Sequence, residues 1–182
     1  MLNLNFTPFP QLITDRLILR QLVKEDANRI SWLRSNESVN KFLDRPASFS
    51  IEEAKSFIEK IETGIANNQW VYWVITKKDS NDLIGTICFW NISCENSEAE
   101  IGYELHPDFQ KNGIMQEAMA VVIKYGFDTL KLETITALPE LNNIPSIRIL
   151  LKNNFLYDEN HQFASRQEAA GLAIYYLLPH KK

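Results

Sequence analysis

The chain has 182 residues, of which 45% are hydrophobic and 23% charged, and its formal net charge is −4 at pH 7. The length fits one domain, expected over residues 1–182, with enough apolar residues for an ordinary globular core. The acidic balance lacks the basic face a nucleic-acid binder needs, and no apolar run reaches the length of a membrane span.

In chain order, RLILRQL (16–22) alternates polar and apolar residues as a half-buried strand does. A helical stretch follows, carrying Ile30 and Leu33 and later Phe42 and Leu43. Ser50 with Glu53 three residues on reads as a capping box, and Ile51, Ala54, Phe57, Ile58, Ile61 and Ile65 then recur at helical spacing. Residues 70–78, 83–92 and 98–106 read as three strands joined by short polar turns, an antiparallel meander. A helix starts near Gly113, a short buried strand lies in LETITALP (132–139), and NIPSIRILLKNN (143–154) reads as a further helix. A strand–helix–strand passage of this kind makes a parallel pair. FLYDENHQF (155–163) and LAIYYLL (172–178) read as closing strands. The order β-α-α-β-β-β-α-β-α-β-β predicts a single α/β domain: a mixed, mostly antiparallel sheet with a central parallel pair and flanking helices.

The two cysteines, Cys88 and Cys94, sit in no CxxC and have no histidine at ligand spacing, so both are expected to be reduced. His106, His161 and His180 show no ligand pattern either, and no metal is expected. Without a disulfide framework or a leader-like N-terminus, the expected location is the cytoplasm.

Two stretches invite chemistry. HPDFQKNGIMQEAM (106–119) passes from a turn through Gln110, Lys111 and Asn112 to Gly113 and into a helix. The first N–H groups of a helix lack partners inside it and point, with the positive end of the dipole, at whatever lies ahead, so an anion fits there. Neither G-x-x-x-x-G-K-[ST] nor a G-x-G-x-x-G with a downstream acid is present, which argues against the usual nucleotide sites. In EAEIGYELH (98–106), Glu98, Glu100, Gly102 and Glu104 share one strand face, while Ala99, Ile101, Tyr103 and Leu105 share the other and read as core. Three carboxylates on one face are expected to draw in a cation and to repel one another.

Together these stretches resemble the GCN5-related N-acetyltransferases, and among them the Rim type, which acetylates the N-termini of ribosomal proteins. The resemblance rests on TDRLILRQLVKEDA (14–27), on LIGTICFWNI (83–92) followed by EAEIGYELHPDFQKNGIMQEAM (98–119), and on NIPSIRILLKNNF (143–155). Gln110-x-x-Gly113-x-Met115 is similar to the family's Q/R-x-x-G-x-G/A loop and departs from it at Met115. Asn154 stands where the family usually has glycine before Phe155.

The resemblance implies acetyl-CoA as co-substrate. Main-chain N–H groups of Gln110, Lys111, Asn112, Gly113, Ile114 and Met115 would cradle its pyrophosphate, with Lys111 adding charge. The pantetheine arm would run along Glu104, Leu105 and His106, where a main-chain N–H holds the thioester oxygen, and would touch Asn143. Glu100 is implied as base, directly or through water, and Ser146 as partner of the departing sulfur; Leu150 stands where many relatives have a tyrosine. Read without the family, Asn143 is a helix N-cap and His106 a solvated turn residue. The implied reaction is acetyl transfer to a primary amine, foremost a protein N-terminus such as that of a ribosomal protein. A small amine (polyamine, amino sugar or drug) is the alternative acceptor, and an acyl-CoA-binding module without catalysis is a third reading. The acid-rich acceptor strand of the Rim type has no clear match; Glu159 and Glu168 are the carboxylates nearby.

Overall fold

The computed structural model describes residues 2–43, 45–159 and 172–179. Short strand β1 (Leu12–Ile13) and strand β2 (Leu17–Gln21) lead into helices α1 (Ala27–Ser35) and α2 (Glu37–Asn40). The single helical stretch expected here is split at Asn36. Its backbone is extended, and its side chain accepts from the N–H groups of Ser38 and Val39, so it caps a new helix instead of continuing the old one. Phe42 and Leu43 therefore follow α2 instead of lying on a helix.

Helix α3 (Ile51–Ala66) starts at the expected capping box, with Ser50 and Glu53 bonded reciprocally. Its face of Ala54, Ile58, Ile61 and Ile65 is buried, and each large side chain so buried contributes about 1.5–3 kcal/mol. Strands β3 (Val71–Lys77), β4 (Gly85–Ser93) and β5 (Glu98–Leu105) form the meander. Helix α4 (Ile114–Tyr125), strand β6 (Thr134–Ala137), helix α5 (Ile144–Lys152) and strands β7 (Leu156–Tyr157) and β8 (Tyr175–Leu177) complete the order.

All strands among the described residues join one eight-stranded sheet in the order β1-β2-β3-β4-β5-β6-β8-β7. Every pairing is antiparallel except β5 with β6, which runs parallel from Glu98↔Thr134 to Glu100↔Thr136, as the intervening helix requires. On one face, Trp73 meets Phe89 at 6.2 Å and Tyr125 of α4 at 5.5 Å between ring centroids. On the other, Tyr72 meets Trp90 at 6.0 Å and Phe57 of α3 at 5.8 Å. Helices thus cover both faces. The first closing strand is only two residues long where a strand over 155–163 was expected; the part beyond Glu159 lies outside the described residues. So do His161, Glu168 and His180. No helix among the described residues is long and apolar enough to cross a membrane.

Candidate active site

The site begins where the sheet comes apart. β6 ends at Ala137 and the chain turns off through Leu138 and Pro139, while β5 runs on to Leu105 with β4 as its only neighbour among the described residues. The alternation along β5 decides which main-chain groups are left over. The N–H of His106 donates to the Ile84 carbonyl at 2.8 Å, so even-numbered positions direct their polar groups at β4. Odd positions point the other way, and beyond the last β6 pair the N–H groups of Tyr103 and Leu105 have no strand partner among the described residues. The carbonyl of Leu105 is taken by Gln110 Nε2 at 3.0 Å.

This edge opens onto a cleft of about 610 Å³. The starts of α4 and α5 form its other walls, with Gln110, Lys111, Gly113, Ile114 and Met115 on one side and Asn143 and Ser146 on the other. Gly113 adopts φ +75°, a left-handed conformation that favours glycine, and so turns the loop into α4. Lys111 is left-handed as well, at φ +63°. Met115, the departure from the family loop, is 5% exposed and packs into the core beneath the cleft. Two of the six expected cradle residues stand differently. The N–H of Gln110 is already bonded to Pro107 O at 3.1 Å, and Asn112 faces a separate hollow beside Arg16 and Lys77.

Asn143 caps α5: its side-chain oxygen accepts from the N–H of Ser146 at 3.1 Å, which fixes the serine at the cleft wall. The Ser146 hydroxyl meets the Tyr103 hydroxyl at 2.6 Å. Tyr103 read as core in the sequence because alternation puts it on one strand face with Ala99, Ile101 and Leu105, and these three are buried. Its ring is indeed among apolar groups, but its hydroxyl reaches the site. Burial pushes its pKa well above the ordinary tyrosine value, and the Ser146 bond only partly offsets this, so it keeps its proton at neutral pH. Leu150, where a tyrosine was missed, is fully buried. The sequence signal for Tyr103 was faint: a hydroxyl-bearing aromatic at an odd position of a strand destined to lose its neighbour.

The opposite face of β5 carries the carboxylates, and each has its own partner. Glu98 accepts from Thr136 Oγ1 at 3.2 Å, Glu100 from Asn91 Nδ2 at 2.9 Å, and Glu104 pairs with Arg45 at 2.9 Å and accepts from Thr86. The expected repelling cluster is replaced by three separately held groups. Asn91 reaches Glu100 from a register shift in the β4–β5 ladder, where its own φ is +46°. Gly102 leaves space here, since a Cβ would stand 3.2 Å from Cys88 Sγ and 3.3 Å from the Trp90 indole. Glu100, Gly102 and Glu104 line the cleft together with Val39, Phe42 and Leu43.

Of the three positions expected to carry the arm, His106 gives its N–H to Ile84 and Glu104 directs its own at β4, which leaves Leu105 to supply the expected main-chain donor, joined by Tyr103. The His106 ring is not solvated: it stacks on Trp32 at 4.0 Å and accepts from the Asp108 N–H. Glu159 is exposed past β7, away from the cleft. Among the described residues no three His, Cys, Asp or Glu side chains gather as a metal site.

The cleft suits a long, amide-bearing, phosphorylated thioester. Among the described residues it offers a strand edge without a partner and a helix N-terminus. Comparison with known proteins agrees. The family profile described as acetyltransferase (GNAT) domain matches residues 16–156. The uncharacterized N-acetyltransferase YoaA of Bacillus subtilis is 39% identical over 147 residues, 81% of this chain and 83% of that protein. The structure of the ribosomal-protein-S5-alanine acetyltransferase from Vibrio fischeri superposes with a TM-score of 0.74 at 19% identity, covering 94% of this chain and 98% of that one. The microcin C7 self-immunity acetyltransferase MccE, solved with acetyl-CoA and AMP, superposes with a TM-score of 0.76 at 22% identity, covering 91% and 94%. The chain belongs to the GCN5-related N-acetyltransferase family, as an N-acetyltransferase with acetyl-CoA as its co-substrate.

Proposed function

We propose that the acceptor is a protein N-terminal amine, of the kind acetylated on ribosomal proteins, and that it attacks the thioester directly. The observation that carries the transfer chemistry is the unpaired edge of β5 lying beside the Ser146–Tyr103 hydroxyl pair. Acetyl-CoA supplies the activated acetyl group. The free N–H groups of Tyr103 and Leu105 align its arm as an added strand would be aligned, and such a donor polarises the thioester carbonyl. The N–H groups of Lys111, Gly113, Ile114 and Met115, at the start of α4, bind the pyrophosphate.

Glu100 takes the proton of the attacking amine, directly or through water. As the C–N bond forms and the C–S bond breaks, Ser146 gives its proton to the departing sulfur and takes one back from solvent through Tyr103, while Glu100 releases to solvent the proton it took from the amine. Asn143 keeps Ser146 in place. An N-terminal peptide suits the cleft because Val39, Phe42 and Leu43 add apolar lining to it and Leu43 is 38% exposed at the surface. The fold shared with the S5-alanine enzyme is consistent with that acceptor.

The test is acetyl-CoA-dependent thiol release against peptides with free or blocked N-termini, alongside polyamines, amino sugars and amino acids. Turnover on free peptides that blocking abolishes is expected. Turnover confined to small amines would overturn the peptide acceptor and keep the chemistry. Acetyl-CoA binding without turnover on any amine would favour a non-catalytic module.

A further inference from the structure

A bonded network ties the beginning of the chain to the beginning of α4, and the reaction above makes no use of it. Glu117, in the first turn of α4, has both carboxylate oxygens engaged. Oε1 accepts from Thr14 Oγ1 at 2.5 Å and from the Arg16 N–H at 2.9 Å, and Oε2 accepts from Arg16 Nε at 2.6 Å. Arg16 Nη1 continues to the Asn112 carbonyl at 3.1 Å. Arg16 and Glu117 are 101 residues apart in the chain.

As a stabiliser of the fold this pair weighs little. The Arg16 side chain is 52% exposed, and exposed ion pairs contribute about 0–1 kcal/mol. Its placement says more. A carboxylate in a first turn suits the helix dipole, but here it stands beside the loop that receives a pyrophosphate. Partial burial works to raise the Glu117 pKa, yet the bonds from Thr14 and Arg16 and the Arg16 charge outweigh it and hold the group below the usual carboxylate range. The negative charge is therefore present at neutral pH. The Asn112 carbonyl points to Arg16, which lines the hollow outside the cleft. A planar trans peptide sets the following N–H opposite its carbonyl, so the Gly113 N–H points away from Arg16, and Gly113 itself lines the cleft.

We propose that Arg16 is a positioning residue for acetyl-CoA: it orients the Asn112–Gly113 peptide so that the Gly113 N–H meets the pyrophosphate, and it cancels the Glu117 charge at that spot. This rests on the loop being the pyrophosphate site.

The test compares two acyl donors, acetyl-CoA and S-acetylpantetheine, which lacks the pyrophosphate. Arg16→Gln is expected to raise the KM for acetyl-CoA about tenfold, leaving kcat within about twofold and S-acetylpantetheine turnover unchanged. Glu117→Gln should cost about threefold, and the double variant should be less impaired than Arg16→Gln alone, because no uncompensated carboxylate is left. Ligand-free melting temperatures check folding, and Arg16→Lys carries the same two comparisons if Arg16→Gln does not fold. An unchanged KM for acetyl-CoA, or equal losses with both donors, would overturn the proposal. A wild-type protein that binds no CoA and uses both donors equally would overturn the pyrophosphate site itself.

Discussion

Replacing Tyr103 by Phe removes one oxygen atom from the site and leaves the ring in place. The atom lost makes a 2.6 Å bond to Ser146 Oγ. For stability the cost is one neutral hydrogen bond, about 1 kcal/mol, or a fall of about 2–4 °C in Tm at this chain length. For catalysis the cost is larger, because the bond supports Ser146 as charge develops on sulfur. A lost contact to a developing charge is worth about 1.5–3 kcal/mol, so kcat should fall about 10- to 100-fold. The KM for acetyl-CoA should move less than about twofold, since the Tyr103 main-chain N–H is untouched. The assay is steady-state thiol release from pH 6 to 10 for Tyr103→Phe, Ser146→Ala and both together. With its pKa raised by burial, Tyr103 remains a donor across that range and adds no falling limb. If the hydroxyls act as a unit, the double variant should be about as slow as the slower single one. Undiminished kcat in Tyr103→Phe, or losses that simply multiply, would refute the relay.

Three further outcomes follow from the geometry. Gly113→Ala forces a side chain into φ +75° at about 1 kcal/mol; the new Cβ meets Arg16 Nη2 only at 3.4 Å, so strain and not collision should raise the KM for acetyl-CoA several-fold and lower Tm by a few degrees. Glu100→Gln should lower kcat about 100-fold at pH 7, and the deficit should shrink as the acceptor amine deprotonates at higher pH; a constant deficit would remove Glu100 as the base. Burial raises the pKa of Cys88, Tyr72, Tyr103 and Tyr125, the last to about 12. The neutral forms stabilise the fold below the unfolded values of about 8.5 for Cys and 10 for Tyr, and that stability is lost as pH climbs from there towards 12. Urea midpoints measured against pH should therefore decline above about pH 9.

What the sequence makes legible is what repeats or what is local. The capping box at Ser50 and the apolar stripe of α3 are where the spacing puts them. Asn154, where the family usually has a glycine, adopts a left-handed conformation at φ +64°, which asparagine tolerates better than most residues. The parallel pair follows from the helix between its strands. Asn36 was harder: its capping bonds compete with helix continuation, and periodicity does not weigh that competition. The least legible features depend on partners distant in the chain. Nothing in EAEIGYELH says that Glu104 meets Arg45 or that the Tyr103 hydroxyl meets Ser146. Nor does the opening stretch declare that Arg16 belongs to α4 while Arg20 folds back on Asp26 in a two-pronged pair at 2.8 Å. Alternation assigns a strand residue to a face. It does not reveal where a neighbouring strand stops, and at Tyr103 that stop turns a core position into a site position.

The parting of β5 and β6 also has a mechanical side. The five strands before this seam and the three after it are stitched in the sheet by a run only three residues long. The remaining fasteners across the seam include Gln116 to Asn153 and Tyr103 to Ser146, both of them side-chain bonds. A guest lying along the open edge touches both sides at once and so acts as a rivet. Its binding energy adds to the stability of the closed seam. Filling the cleft should therefore slow amide exchange most in Thr134–Ala137, on a strand that includes residues well away from the reacting atoms.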